Sequence, residues 1–212
     1  MIIYIIDDHP IVREGYSIVL QTIYPHATIV TSCLDEYSSS YLAAYNKIDC
    51  FIISYKLKKR NTHYSLEDSL QIAKDCKKLF PLSKLVLITA HEEMLLLYHA
   101  HKSLKPDGFL LKNDITKDIL VQAIQHVVFN ESYYSQGIID SLKDVSKRKV
   151  LQQDYNIHIL ILLSQGYKIR EIGEIMSVSE GMVQKRIVVM KEEFKLQESR
   201  GLVREARLFG FI

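Results

Sequence analysis

Short apolar, β-prone segments alternate with segments of helical spacing over the first 130 residues, and this alternation constrains the fold most strongly. The first strand is predicted over residues 2–6, which are apolar on both faces and stop at Asp7 and Asp8. Strands of this kind are typical of a parallel sheet covered by helices on both sides. Four more strands are predicted over residues 28–31, 50–54, 84–89 and 108–111. The pattern predicts an α/β fold with a doubly wound, five-stranded parallel sheet.

Helices are predicted between these strands from apolar residues three or four positions apart. The first is expected to begin near Pro10, and the last of this half at Asp114, a good N-cap residue. The others are predicted over residues 38–45, 65–80 and 92–102. Residues 94–98 are all apolar, which is typical either of a dimer or interdomain interface or of ordinary burial.

The chain changes character after residue 130. Residues 136–150 include the basic stretch 147–149 and are interpreted as a linker or connecting helix. No strand pattern follows, and helices are predicted over residues 154–164, 169–176, 180–194 and 201–209. We therefore expect an α/β domain over residues 1–135 and an all-α domain over residues 151–212, joined by residues 136–150.

The charges are unequally distributed along the chain. It carries 27 Lys and Arg against 25 Asp and Glu, and residues 141–212 hold 13 and 9 of these, a net charge of +4. That leaves 14 and 16 for residues 1–140, a net charge of −2. The basic excess weakly favours a nucleic-acid contact in the second half, whereas chance scatter of solvated charges explains it equally well.

Composition excludes several classes of protein. With 48% apolar residues the chain is not of the disordered type, and it lacks the uncharged run of about 18 residues that a membrane span needs. Its three cysteines have neither zinc nor disulfide spacing, and no secretory signal opens the sequence. We expect a reduced, cytoplasmic protein with no membrane contact.

Polar residues end three of the predicted strands at the edge where such sheets bind ligands. Asp7 and Asp8 end the first strand, Thr89 ends the fourth and Lys112 ends the fifth. Two adjacent carboxylates repel unless a cation joins them, and Mg²⁺ is the natural hard cation for oxygen ligands. The alternative is an ordinary strand-to-turn boundary, where Asp is common.

This Asp pair, Thr and Lys on three strand ends resemble the CheY-like receiver domain of two-component response regulators. Residues 7–15 resemble the opening of receivers in the NarL/LuxR subfamily, and residues 87–90 resemble the family's switch-threonine segment. Residues 107–112 resemble its lysine segment, with Phe109 at the aromatic switch position. The resemblance implies a signalling domain whose partner is a sensor kinase or another signalling protein.

The phospho-accepting Asp of that family is missing, because Ser54 stands at the end of the third strand. Asp49 does not substitute, since five residues of strand put it about 17 Å away, at the opposite end. A serine hydroxyl cannot form the acyl phosphate that a kinase makes on a carboxylate, and it adds no charge to a metal site. We expect Ser54 to fill a degenerate pocket, with no catalytic residue and no required cofactor. Mg²⁺ at Asp7 and Asp8 is expected to bind weakly or not at all.

The loop after the third strand is strongly basic, with four cations in five residues: Lys56, Lys58, Lys59 and Arg60. One hypothesis is that Lys56 or Lys112 pairs with the two carboxylates in place of a metal. The alternative is a solvated basic loop.

Two helices joined by a short turn are predicted in the all-α segment, with Ser179 as the N-cap of the second. One stripe of that second helix is apolar: Val183, Ile187, Met190 and Phe194. Lys and Arg can contact phosphates or guanine edges, and Gln can contact an adenine edge. The predicted DNA-binding residues are Lys168, Gln184, Lys185, Arg186 and Lys191.

This segment resembles the LuxR-type helix-turn-helix through Gly166, Ile169, Glu171, Ile172, Val178, Ser179, Val183 and Met190. Residues 200–212 resemble the family's fourth helix, which tends to mediate dimerisation. Four positions depart from the family pattern: Met182, Gln184, Arg186 and Glu193. In addition, Val188 and Val189 stand where polar, DNA-facing residues are common. A cationic helix is kept, but its contact set is altered.

We therefore predict a transcription regulator that binds double-stranded DNA as a homodimer and is not controlled by aspartyl phosphorylation. One alternative is a protein-interaction or oligomerisation module without sequence-specific DNA binding. Another is an α/β phosphatase, which needs Asp-x-Asp-x-Thr where this chain has Asp7, Asp8 and His9. A third keeps the switch but triggers it by modification of Ser54 or by a small ligand.

Overall fold

The structure of the protein is a computed structural model that describes residues 1–33, 42–55, 68–147, 149–194, 196, 199–208 and 211–212. They form two compact units, one within residues 1–91 and 103–138 and the other within residues 92–102 and 139–212. Half of the predicted helix over residues 38–45, and all of the basic loop 56–60, lie outside the described residues. The predicted domain limits at residues 135 and 151 stay a prediction.

The first unit is built on a parallel sheet. Its strands are β1 (Ile2–Ile6), β2 (Thr28–Ser32), β3 (Cys50–Tyr55), β4 (Lys84–Thr89), β5 (Gly108–Leu111) and β6 (Tyr133–Tyr134). They are ordered β2-β1-β3-β4-β5-β6, and every pairing is parallel. The predicted α/β fold with a parallel sheet is confirmed.

The predicted count of five strands is wrong, because the described residues form six. The additional strand, β6, pairs with β5 through two backbone bonds, from Tyr133 N–H to Asp107 O and from Ser135 N–H to Phe109 O, both 3.0 Å. At two residues it is too short to show an alternating pattern in the sequence.

Helices α1 (Pro10–Ile23), α2 (Asp68–Leu79), α3 (Met94–Leu104) and α4 (Lys117–Val128) flank the strands in the chain. A buried core joins strand residues to α1 and α4: Ile3, Ile5, Ile52, Val86, Leu20 and Leu120. Most of α3 belongs to the second unit. Leu95, Leu96 and Leu97 within it are buried, so the apolar run over residues 94–98 is not an exposed patch.

The predicted helix start at Asp114 is wrong. Helix α4 begins at Lys117, and the Thr116 side chain caps it by accepting a bond of 3.2 Å from Ile119 N–H. Asp114 lies instead in a 3-10 turn over Lys112–Asp114, where its Oδ2 accepts a bond of 3.0 Å from Gly137 N–H. The Asp114 carboxylate therefore binds a residue 23 positions further along the chain. Capping rules, which consider only neighbouring residues, do not reveal this contact.

The second unit is helical throughout its described residues. Besides most of α3, its elements are α5 (Gln136–Ser146, whose first three residues fall in the first unit), a 3-10 turn (Lys149–Gln152), α6 (Asp154–Ser164), α7 (Ile169–Met176), α8 (Glu180–Glu193) and α9 (Ser199–Leu208). Their core includes Ile157, Leu160, Ile172, Val183, Met190 and Leu202. The predicted bounds of α6 and α7 are confirmed. Helix α8 ends one residue earlier than predicted. In the described part of the chain, no helix has the length and apolar character needed to cross a membrane.

Candidate functional site

A polar pocket lies at the carboxyl edge of the sheet, where the strand order reverses between β1 and β3. Ile6 is in register with Ile53, so the next residues, Asp7 and Ser54, lie side by side. Thr89 at the end of β4 is paired with Leu111, the residue before Lys112. The edge therefore holds four of the predicted pocket residues: Asp7, Ser54, Thr89 and Lys112.

Asp7 is buried, and both of its carboxylate oxygens have partners. Oδ2 accepts a bond of 2.7 Å from Nζ of Lys112, while Oδ1 accepts a bond of 2.8 Å from the His9 backbone N–H. Burial alone would raise the pKa of Asp7, but the bonds from Lys112 and His9 outweigh it and hold this pKa below its ordinary value of 3.8. Asp7 is therefore ionised at neutral pH and has a cationic partner within the chain.

Helix α1 adds two groups that the sequence analysis did not single out. The Arg13 guanidinium donates a bond of 2.5 Å to the carbonyl oxygen of Asp7. Burial and the negative charge of Asp7 raise the pKa of Tyr16 to about 12, so its phenol stays neutral. Arg13 and Tyr16 are three positions apart on α1 and so share one face of the helix, and this spacing was the signal that could have revealed them.

The remaining pocket residues are enclosed. Ser54 is only 5% exposed, and Thr89 is fully buried, with its Oγ1 accepting a bond of 3.0 Å from His91 N–H. Phe109 is also buried and meets Tyr134 edge-on, with 6.4 Å between ring centroids. Neither the threonine nor the aromatic residue of the predicted switch reaches the protein surface.

The donors in this pocket do not fit a tightly held Mg²⁺. Mg²⁺ prefers an octahedral set of oxygens that includes carboxylates, but those of Asp7 already accept from Lys112 and His9, and Ser54 is uncharged. Asp8 is half-buried at the edge of the pocket. Across the described residues, no cluster of three or more His, Cys, Asp or Glu side chains is arranged to hold a metal ion.

Asp49 and Lys56 were the other residues considered for this pocket. Asp49 lies at the opposite edge of the sheet, as its distance along the strand predicts, because its Oδ2 accepts a bond of 2.7 Å from Ile2 N–H at the start of β1. Lys56 lies outside the described residues. Of the two lysines in the pairing hypothesis, Lys112 is the one whose geometry is described, and it contacts Asp7.

A tight connection joins α7 to α8 in the second unit. Ser177 ends α7 in the left-handed conformation, with φ of 54°, and Ser179 caps α8 by accepting a bond of 3.2 Å from Met182 N–H, which confirms the predicted N-cap. A Cβ on Gly173 would lie 2.9 Å from the carbonyl oxygen of Val178, so the close approach of α7 to this turn requires glycine. The sequence analysis missed Gly173, although its place one turn before the connection was a usable signal.

The apolar stripe predicted on helix α8 packs inward. Val183, Ile187 and Met190 are buried, and Phe194 is half-buried with its ring 6.1 Å from that of Phe211. The predicted DNA-binding residues divide by exposure: Lys168, Gln184 and Lys185 are exposed, whereas Arg186 and Lys191 are half-buried. The buried apolar residues hold the helix in place. Gln184 and Lys185 are exposed to solvent on its outer side.

Arg186 is tied to its own chain. Its guanidinium donates a bond of 2.5 Å to Oε1 of Gln153, the residue before α6. The two residues are 33 positions apart, and no sequence pattern signals the contact. Lys168 precedes α7, where its backbone N–H donates a bond of 2.6 Å to Oε2 of Glu171 and leaves the lysine side chain exposed.

Comparisons with known proteins match nearly the whole chain. The transcriptional regulatory protein DegU of Brevibacillus brevis is 22% identical over 99% of this chain and 94% of its own length. The oxygen regulatory protein NreC of Staphylococcus haemolyticus is 25% identical over 97% of this chain and 96% of its own. No protein-family model matches the sequence.

Solved structures share the fold. RcsB from Salmonella enterica serovar Typhimurium, bound to the promoter P1flhDC in the presence of phosphomimetic BeF3−, has a TM-score of 0.63 at 18% identity over 96% of both chains. A structure of two RcsB dimers bound to two parallel DNAs has a TM-score of 0.61, also at 18% identity over 96% of both chains. These likenesses confirm the predicted combination of a receiver-like fold with a helix-turn-helix fold.

Proposed function

We infer that this chain, a response regulator of the NarL/LuxR type by its similarity to these relatives over nearly its whole length, binds double-stranded DNA as a homodimer and regulates transcription. The observation that carries the proposal is the capped helix α8, which follows a tight turn and presents Gln184 and Lys185 to solvent. A second helix of this kind is the element that a helix-turn-helix places in the major groove.

The chemistry of the exposed face suits that role. The Lys185 ammonium can neutralise a phosphate or donate to guanine O6 and N7, and the Gln184 amide can both donate to and accept from an adenine edge. Lys168, at the start of α7, is placed for a backbone phosphate next to the groove. A dimer would bring two copies of α8 to successive turns of the duplex, about 34 Å apart.

We propose that the receiver-like half is not switched by aspartyl phosphorylation. Ser54 supplies no carboxylate at the place where the phosphoryl group would be accepted, and the Lys112 ammonium, 2.7 Å from Asp7, can balance the charge of Asp7 without a metal. We expect this set of pocket side chains not to need Mg²⁺ to balance its charge. We also expect the protein to bind DNA without a phosphodonor. A partner sensor kinase or other signalling protein, a cytoplasmic location and the absence of enzymatic activity all stay predictions.

One observation favours the alternative, a protein-interaction module without sequence-specific DNA binding. Helix α8 carries three cations, Lys185, Arg186 and Lys191, but also three acids, Glu180, Glu192 and Glu193, so its formal charge is zero. The acids lie at the two ends of the helix, however, and the cations lie between them. That arrangement keeps the middle of the helix positive, which is why we prefer DNA binding.

A lysine variant tests the proposal. We expect Lys185→Ala to weaken DNA binding and to lower the slope of log affinity against log salt by about one, because one phosphate-neutralising cation is lost. The matched control is Lys143→Ala on α5, an equally exposed lysine away from α8, which should bind like the parent. Fluorescence anisotropy with duplexes that the full chain enriches from a random pool measures both. Undetectable binding by the parent even at low salt would instead support the interaction module.

A further inference from the structure

Two valines on α8 are exposed to a degree that folding does not explain. Val188 is 49% exposed and Val189 is 37% exposed, whereas Val183 and Ile187 on the same helix are buried. β-branched residues are also weaker helix formers than Ala, Leu, Lys or Glu. The valines therefore contribute little to the stability of the helix, and their side chains are accessible to a partner outside the chain.

The two valines lie at different angles around α8. Successive residues are rotated by about 100° around a helix, and the buried side is set by Val183, Ile187 and Met190. Val188 falls on the opposite side, four positions after Gln184 and three after Lys185, so it belongs to the face that these exposed residues form. Val189 lies about 100° further round and about as far from the buried side, but it follows Lys185 by four positions and Arg186 by three, and is not one turn from Gln184.

We propose that Val188 is a specificity-determining residue that contacts the C5-methyl group of a thymine in the operator. This inference rests on the proposed function and deepens it. The thymine methyl is the apolar group that a base pair presents in the major groove, and it is what an aliphatic side chain there can recognise. A G·C pair presents no methyl group in the major groove, so a valine at that position gains no equivalent apolar contact.

The neighbouring residue sharpens the prediction. Gln184 and Val188 are one helical turn apart, about 6 Å along the axis, which corresponds to roughly two base-pair steps of 3.4 Å. If the helix lies along the groove, an adenine contacted by Gln184 and a thymine contacted by Val188 belong to one short A·T-containing element. Val189 is not one turn from Gln184, so it is not expected to contact the same base pair as Val188.

Deoxyuridine substitution tests the contact one methyl group at a time. The probe is a duplex that the full chain enriches from a random-sequence pool, resynthesised with deoxyuridine at each thymine of the half-site in turn. At one thymine we expect the loss of the methyl to weaken parent binding about fourfold, the effect of one buried methyl-sized group. Val188→Ala should bind the unmodified duplex about fourfold more weakly and show no further loss on the deoxyuridine duplex.

Val189→Ala is the matched control, because it removes the same two methyl groups from the next residue of the helix. It should keep the full deoxyuridine effect. The assignment is overturned if no thymine methyl affects parent binding, if Val188→Ala keeps the full methyl dependence, or if Val189→Ala abolishes it. Alanine at an exposed helix position is not expected to unfold the chain. If the parent protein enriches no sequence from the pool, the proposed function itself is contradicted. If it enriches a sequence but binding does not depend on any thymine methyl, only the role of Val188 is contradicted.

Discussion

The ammonium group of Lys112 lies 2.7 Å from Oδ2 of Asp7, a carboxylate that is almost completely buried. The two residues are 105 positions apart and meet because β1 and β5 end at the same edge of a parallel sheet. In a receiver pocket this acid would be available to bind a metal cation. Here the Lys112 ammonium supplies the positive charge next to it. With Ser54 beside it, the pocket has neither a phospho-accepting carboxylate nor an unpaired Asp7.

Removal of the Lys112 side-chain charge should destabilise the fold, because Asp7 stays buried. We expect Lys112→Met to lower the free energy of unfolding at pH 7 by about 3 kcal/mol, because it leaves a buried carboxylate without its cation. Urea unfolding followed by circular dichroism measures the change. The double variant Asp7→Asn with Lys112→Met should regain most of the loss. Equal destabilisation in the single and double variants would mean that the Lys112 stem, and not its charge, supports the pocket.

The depressed pKa of Asp7 predicts how its contribution depends on pH. A carboxyl group whose pKa is lower in the folded state stabilises the fold fully above its unfolded value of 3.8, and this stabilisation is lost as the pH falls through the folded value. The difference in unfolding free energy between the parent and Asp7→Asn should therefore be constant from pH 7 to pH 5 and shrink below about pH 4. A difference that already shrinks between pH 7 and pH 5 would contradict the depressed pKa.

Two glycines of the helical unit form a contrasting pair. A Cβ on Gly173 would meet the Val178 carbonyl oxygen at 2.9 Å, whereas a Cβ on Gly181 would have no neighbour within 4 Å. We expect Gly173→Ala to destabilise the protein by about 1–3 kcal/mol and Gly181→Ala to stabilise it by about 0.5 kcal/mol. Thermal unfolding of both variants checks this. A stable Gly173→Ala would show that α7 and the turn can move apart.

Arg186 offers a test of the edge of the interface. We expect Arg186→Ala to weaken specific DNA binding, because it removes a cation from the flank of α8. Gln153→Ala serves as the comparison, since it removes the Arg186 partner but keeps the charge. Its affinity should stay closer to the parent value in the same gel-shift assay. Unchanged binding by Arg186→Ala would restrict Arg186 to an intramolecular role.

Much of the fold follows from the sequence because its signals are local. Apolar runs such as residues 2–6 and 50–54 predict buried strands, and the Ser179 cap predicts the start of α8. The sixth strand was missed because two tyrosines carry no periodicity. The start of α4 was misplaced because the Asp114 carboxylate accepts a bond from Gly137 N–H. This contact depends on the tertiary fold and not on residues near Asp114 in the sequence.

The candidate sites were predictable to a similar extent. Strand ends bring Asp7, Ser54, Thr89 and Lys112 to one edge, so their proximity follows from topology alone. The contact of Lys112 with Asp7 did not follow, because it depends on side-chain reach within the folded pocket. The Arg186 contact with Gln153 likewise depends on how α6 and α8 pack, and the need for glycine at position 173 depends on how closely α7 approaches the turn.

The central claim is that this chain binds specific DNA without aspartyl phosphorylation. The most direct measurement is selection of binding sequences from a random pool by the full chain, with and without acetyl phosphate and Mg²⁺, while intact mass monitors any phosphoryl adduct. We predict the same enriched sequence under both conditions, affinities within about twofold of each other and no adduct, since Ser54 replaces the acceptor carboxylate. Enrichment that appears only after treatment with the phosphodonor, together with an adduct, would contradict the claim.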